Sequence, residues 1–217
     1  MEGVILGSSG LIGNELLRLL LADPVFSRVT ALVRKPLTIE HPKLDQKVID
    51  FNDNKSFKDA VGNGDVLFCC IGTTMKKMKG DKDAYFRVDH DIAVNAANFA
   101  YSHGFSQFCL VSSLGANPTS SNFYLNMKGS TERAISKYPF QSIHVFRPSM
   151  LLGRRMEQRL MESAAKVIMK NISFLIPVRY KPIEAHMVAL AMKECVKKPA
   201  SGWQVYHNAE IFALAKA

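Results

Sequence analysis

The sequence predicts an α/β fold, a doubly wound parallel sheet with helices on both faces. Three observations carry this reading. Apolar runs of strand length alternate with helical periodicity along the whole chain. The runs are uninterrupted, as in strands buried on both sides, and a glycine-rich segment follows the first of them directly.

Val4 to Leu6 is the first apolar run, followed by Gly7 to Gly13 and an amphipathic stretch to Leu21 that Asp23-Pro24 stops. Arg28 to Val33 reads as the second strand, Lys47 to Phe51 as the third and Val66 to Ile71 as the fourth. Ala84 to His103 is a long helical segment, and Gln107 to Val111 a fifth strand. Asn122 to Lys137 has helical spacing and Ser142 to Phe146 is a sixth strand. Met156 to Lys170 and Ile183 to Lys197 read as amphipathic helices, with Gln204 to His207 a last strand. No repeat or linker divides the chain. It is expected to form one domain over residues 1–217, with a small substrate-covering region at roughly 150–200.

Composition narrows the function classes. A hydrophobic fraction of 47% excludes wholesale disorder, and no apolar run reaches the ~20 residues that span a bilayer. No basic start with a following apolar run marks a secretory signal. Four cysteines without CxxC spacing make no disulfide framework, so a soluble protein of a reducing compartment, the cytoplasm, is expected. Cys69 and Cys70 read as inert core thiols. Lys plus Arg number 28 against 19 acidic residues, giving +9, a balance that suits phosphate-bearing ligands. The cluster Lys76, Lys77, Lys79 and Lys82 reads as a solvated loop, and no nucleic-acid-binding module is visible. The six histidines show no HxxxH or HExxH spacing, and no metal site is expected.

In sheets of this kind ligands bind beyond the carboxyl ends of the strands, so the residues after each strand are the candidates. Gly7-Ser8-Ser9-Gly10-Leu11-Ile12-Gly13 has the residue types of a pyrophosphate-binding turn, although its spacing is GxxGxxG and not GxGxxG. Arg34-Lys35 lies 21 residues beyond Gly13, where an acidic residue would bond the ribose hydroxyls of NAD. Two cations there suit a 2′-phosphate, so NADP is expected over NAD. Asp50-Phe51 is placed to meet an adenine ring, and Ile71-Gly72-Thr73 to let the cofactor backbone pass. The fifth strand ends in Ser112-Ser113, and 11 residues on comes Tyr124, with Lys128 four further. Four apart on a helix, the two share a face, and the lysine cation favours the phenolate and makes Tyr124 a proton donor. Ser113 would polarise a carbonyl, and Pro148, in the turn after the sixth strand, would border the nicotinamide. Met150, Met156, Met161 and Met169 suit adaptable packing or a tolerant pocket wall.

Together these stretches resemble the short-chain dehydrogenase/reductase superfamily in its atypical branch, and within it the Tat-interactive protein family of oxidoreductase-like proteins. Supporting segments include DVLFCCIGTT (Asp65 to Thr74), RVDHD (Arg87 to Asp91), VSSLGA (Val111 to Ala116), SNFYLNMKG (Ser121 to Gly129) and VFRPSMLLG (Val145 to Gly153). The resemblance implies a Rossmann-type fold, Tyr124 as acid/base, Lys128 as its partner and ribose ligand, and Ser113 as the carbonyl-orienting group. It implies Gly7, Gly10 and Gly13 at the pyrophosphate, Arg34 at the 2′-phosphate, Asp50 at adenine, Gly72 beside the ribose and Pro148 near nicotinamide. Ser8, Ser9, Leu11, Ile12, Lys35, Phe51, Ile71, Thr73 and Ser112 complete the expected cofactor contacts, which Tyr124 and Lys128 share. Asp89 stands where many members have Asn, and Cys70-Ile71-Gly72 replaces the usual Asn-Ala-Gly. The expected function is an NADP-dependent oxidoreductase acting on a carbonyl or alcohol as monomer or homodimer. A non-catalytic NADPH-sensing protein with protein partners is the alternative. A nucleotide-sugar epimerase is disfavoured by Arg34 and by the 69 residues after Pro148, fewer than its larger C-terminal lobe needs.

Overall fold

The computed structural model describes residues 1–73, 78–152, 177–198 and 200–216. The expected helix Met156 to Lys170, and Lys76 and Lys77 of the basic cluster, lie outside the described residues.

Continuous apolar stretches form β1 (Glu2–Leu6), β2 (Arg28–Val33), β4 (Val66–Cys69), β5 (Gln107–Val111) and β6 (Ser142–Phe146), whose residues are mostly buried. With β3 (Leu44–Val48) and β9 (Gly202–Tyr206) they make a seven-stranded sheet in the order β3-β2-β1-β4-β5-β6-β9. Every pairing in it is parallel. The chain winds outward from β1 to β3, then returns to start β4 on the other side of β1, so the strand order reverses between β1 and β4. A crevice opens at such a reversal.

Two hydrophobic layers cover the sheet. On one face, α1 (Leu11–Ala22) and α6 (Ala185–Cys195) pack through Leu16, Leu20, Val188 and Met192 over Ile5, Val29 and Phe146. On the other, α2 (Asn54–Val61) and α4 (Ile92–Ser102) cover Val4, Leu67, Leu110 and Val145. α5 (Phe123–Ile135) joins that second layer through Ile135.

Several boundaries differ from the sequence expectation. β3 begins at Leu44, not Lys47, and ends at Val48, because the chain turns where Asp50 and Asp53 capture backbone N–H groups beyond it. β3 is an edge strand, half-buried from Leu44 to Lys47 and exposed at Val48, so its polar start carries no apolar signal. Asp53 also caps α2, a helix the sequence reading passed over. Ile183-Glu184 forms a short strand, β8, paired with β7 (Leu151–Leu152), and the helix expected from Ile183 starts at Ala185. A last helix, α7 (Asn208–Leu214), was also unread; Glu210 accepts the His207 N–H at its start.

Asp23, at the end of α1, meets Lys193 at 3.2 Å and Lys197 across from it on the α6 side. Burial alone would raise its pKa, but Lys197, the Val25 N–H and Lys193 outweigh that and hold it at about 2. A carboxyl with a depressed folded-state pKa stabilises the fold fully above its ordinary value of 3.8 and loses that contribution as pH falls towards 2. Asp23→Asn is therefore expected to cost on the order of 2 kcal/mol at pH 7, with the gap to wild type closing between pH 4 and 2. Denaturant unfolding across that range checks it; a pH-independent gap would refute the ion-pair account.

Candidate active site

β1 ends in a turn that admits only glycine at its first position. Gly7 has φ +82°, and a Cβ there would sit 2.5 Å from the Cys70 carbonyl oxygen at the end of β4. The Gly10 N–H closes the turn on the Gly7 carbonyl at 2.8 Å. α1 then starts with no side-chain cap and no acidic residue in its first turn, so its leading N–H groups and dipole face the crevice. The Ser8 hydroxyl is fully buried in this turn without a hydrogen-bond partner among the described residues.

The turn opens on a cleft of about 250 Å³ between the carboxyl ends of β1, β2 and β4. Gly7, Ser8, Ser9, Gly10, Arg34, Asp50, Phe51, Ile71, Gly72 and Thr73 all line it, joining four stretches that the sequence singled out separately. Leu11, Ile12, Gly13 and Lys35 are not among its walls. Leu32, Val33, Asn52, Cys70, Met78, Val88 and Ile92 are walls that the sequence reading missed. Asn52 had a readable signal, since it follows the Asp50 turn and donates to the Asp50 carboxylate at 2.9 Å through both backbone and side chain. Val88 and Ile92, four apart, had the spacing of one helix face.

Tyr124 and Lys128 stand one turn apart on α5, which Asn122 caps by accepting the Leu125 N–H. Tyr124 is 37% exposed and Lys128 only 6%, and the ammonium lies 6.0 Å from the tyrosine ring centre. Facing Lys128 is Asp89, 2% exposed, at 2.9 Å. Asp89 lies in a π turn, Arg87–Asp91, between α3 (Lys82–Phe86) and α4. π turns insert one residue into a helix and commonly mark functional sites. Its other oxygen accepts the Thr73 N–H at 2.8 Å, and Tyr85 donates to the Thr73 carbonyl at 3.3 Å. The cleft wall at Thr73 is thus tied through Asp89 to Lys128. Burial alone would disfavour the Lys128 ammonium, but Asp89 and Tyr124 outweigh this and raise its pKa above the ordinary lysine value.

The two serines after β5 separate. The Ser112 hydroxyl is buried and donates to Glu132, which also forms an ion pair with Arg147 at the end of β6. Ser112 therefore fastens α5 to the sheet. Ser113 is half-buried, its hydroxyl 3.4 Å from the Leu114 carbonyl, and the Leu114 N–H bonds to the Pro148 carbonyl at 2.9 Å. Ser113 and Pro148, remote in sequence, are held on neighbouring loops.

A parallel sheet with this strand order, a glycine turn at β1 and a cleft at the reversal define a Rossmann-fold dinucleotide-binding protein. The family model described as NAD(P)H-binding matches residues 7–151, and the chain belongs to that family. It is 35% identical over 216 residues to Protein HTATIP2 of Rattus norvegicus, an alignment covering 98% of this chain and 88% of that protein. It is 36% identical over 159 residues to Protein FMP52, mitochondrial, of Saccharomyces cerevisiae, covering 71% of this chain and 68% of that one. Among solved structures, MoeE5 in complex with UDP-glucose and NAD superposes with a TM-score of 0.70 at 15% identity, covering 99% of this chain and 81% of that chain. A UDP-galactose 4-epimerase superposes at 0.69 and 16%, covering 94% and 76%. These structural likenesses establish the fold.

The expected cytoplasmic location is overturned by the fungal relatives, which bear the designation mitochondrial. Cysteine usage separates reducing from oxidising surroundings and does not choose among reducing compartments.

Proposed function

We propose that this chain is an NADP-dependent oxidoreductase that interconverts a carbonyl and an alcohol. The observation that carries the proposal is the single cleft where the uncapped glycine turn and Arg34 meet, tied through Thr73 and Asp89 to Lys128. The residues fit a dinucleotide. The Ser8 hydroxyl and the first N–H groups of α1 offer donors to a pyrophosphate, and Gly7 keeps the turn pressed against β4. Asp50 and Phe51 suit an adenine ring, and Arg34, exposed at the cleft rim, suits a 2′-phosphate.

When bound, the nicotinamide supplies or accepts the hydride. Tyr124 gives the proton to the carbonyl oxygen or takes it from the alcohol, and Lys128, kept charged by Asp89, favours the phenolate left behind. Ser113 steadies the substrate oxygen, and Pro148 borders the site. Substrates are small carbonyl compounds or alcohols. The second reading, a regulatory protein that binds partners according to NADPH occupancy, draws on the same Asp89–Lys128 pair, because the field of the Lys128 cation at the phenol is partly offset by the carboxylate beside it.

Side-by-side titration of NADPH and NADH, repeated with Arg34→Ala, tests the cofactor assignment. NADPH is expected to bind more tightly, and Arg34→Ala to weaken it by roughly tenfold to a hundredfold, the worth of a hydrogen bond to a charged group, while sparing NADH. Equal affinity of wild type for both nucleotides would overturn the NADP assignment.

A further inference from the structure

Asn208, the first residue of α7, is 0% exposed, and its side chain bonds to groups that lie far from it in sequence. Its Oδ1 accepts the Ser149 N–H at 3.1 Å. Its Nδ2 donates to the Ser149 hydroxyl at 2.9 Å, the Lys181 carbonyl at 2.6 Å and the Val178 carbonyl at 3.2 Å. The amide fits only one way round, because the two carbonyls can only accept and the Ser149 N–H can only donate. The Ser149 hydroxyl donates in turn to the Lys181 carbonyl and closes a ring of three residues. A buried polar side chain satisfied in this way fixes its partners in one arrangement.

The sheet explains where this amide sits. Phe146 and Tyr206 are register partners at the carboxyl ends of β6 and β9, so the chain leaves both strands on the ligand side. The turn after β6 carries Pro148, whose carbonyl accepts the Leu114 N–H at 2.9 Å, next to Ser113. Val178 and Lys181 belong to the turn that leads into β8, where the Ile183 N–H bonds the Met150 carbonyl at 3.0 Å. One amide therefore joins the turn after β6 to the segment 178–181. Neither it nor its partners are among the walls of the nucleotide cleft, so its reach is to the other end of the site.

We infer that Asn208 is a positioning residue for hydride transfer, holding the turn at Pro148 and the segment 178–181 at a fixed separation around the reacting ends of cofactor and substrate. The inference rests on the proposed reductase reading, which sets Pro148 beside the nicotinamide, and adds the residue that keeps it there. Asn208 touches neither ligand; it acts through Ser149 and Lys181. With alanine in its place, the Ser149 N–H, the Ser149 hydroxyl and two carbonyls lose that partner, and each segment moves by itself. A misplacement of ~1 Å in the reacting geometry costs about a hundredfold in rate. The adenine and pyrophosphate end keeps its fit, because Gly7, Arg34 and Asp50 wall it independently.

The test compares the full chain with its Asn208→Ala and Ser149→Ala variants. Ser149→Ala removes one hydroxyl and leaves the Asn208 amide on the Ser149 N–H and on both carbonyls, so it loosens the same clamp with less strain on folding. NADPH binding is followed by nicotinamide fluorescence, 2′-phospho-ADP-ribose binding by calorimetry, and turnover on a panel of aldehydes and ketones. For Asn208→Ala, kcat is expected to fall about a hundredfold and the fluorescence gain on NADPH binding to shrink. Affinity for 2′-phospho-ADP-ribose, which lacks only the nicotinamide, should stay at the wild-type value. Ser149→Ala should show a smaller effect in the same direction. Fluorescence decides the nicotinamide placement even where no carbonyl in the panel is reduced. Loss of 2′-phospho-ADP-ribose affinity in step with turnover would make Asn208 a residue of the fold alone and overturn the inference. Wild-type rates and fluorescence in both variants would overturn it and leave the reductase reading standing. A wild-type protein that binds neither nucleotide would overturn both.

Discussion

Tyr124→Phe is expected to lower turnover on a panel of aldehydes and ketones by about two to four orders of magnitude, the usual worth of a positioned acid/base. NADPH affinity should stay at the wild-type value. Binding and chemistry separate here because Tyr124 is not among the walls of the nucleotide cleft, whereas Thr73 and Gly72 are. The fold should tolerate the change, since the ring is 37% exposed and its hydroxyl makes no hydrogen bond among the described residues. The variant therefore loses one oxygen atom and keeps the helix cap at Asn122 and the Asp89–Lys128 pair. Steady-state rates with NADPH, beside a fluorescence titration of the same preparations, check both halves. Retained turnover would remove Tyr124 from the mechanism; lost binding with lost turnover would make it a cofactor ligand first.

The sequence made the sheet legible where strands are buried on both faces. β1, β4, β5 and β6 have no solvent side, so their apolar residues run on without alternation and stand out. β3, at the edge, has a polar start that reads as loop, and the reading slid three residues towards Phe51. α2 escaped because it has only eight residues, so the i, i+3, i+4 spacing of its buried Phe57, Ala60 and Val61 occurs once and does not repeat. For the site, chain-local signals sufficed for the glycine turn and for the Tyr124–Lys128 pair. The resemblance puts Asp89 where many family members have Asn, but only the π turn shows why it reaches Lys128: one inserted residue turns that carboxylate inward. Ser112 and Ser113 are indistinguishable as letters and differ only because Glu132 lies within reach of one of them.

Gly129 shows which of two opposing effects governs the helix that carries the chemistry. Inside α5 a glycine is unfavourable, and Gly129→Ala would by propensity alone stabilise an exposed helix by roughly 1 kcal/mol. This glycine is buried, however, and a Cβ built on it lies 2.3 Å from Asn117 C and Pro118 N and 2.6 Å from Asn117 N. All three are backbone atoms, so no side-chain rotation relieves the clash. The loop from β5 or α5 itself must move. That loop is held by the Asn117 N–H on Leu125 O at 3.0 Å and by the Asn126 side chain on the Pro118 carbonyl at 2.8 Å, so it resists. Overpacking of this kind costs about 1–3 kcal/mol and exceeds the propensity gain. Gly129→Ala should therefore lower the melting temperature, at about 2–4 °C per kcal/mol for a chain of this size. Because Lys128 precedes Gly129 directly, any shift of α5 displaces the ammonium from Asp89 and from Tyr124, and turnover should fall further than the fraction of folded protein does. Melting curves and rates at a temperature where the variant is fully folded separate the two effects. A variant as stable as wild type would mean that the loop yields freely and that the close approach does not fix α5 in place.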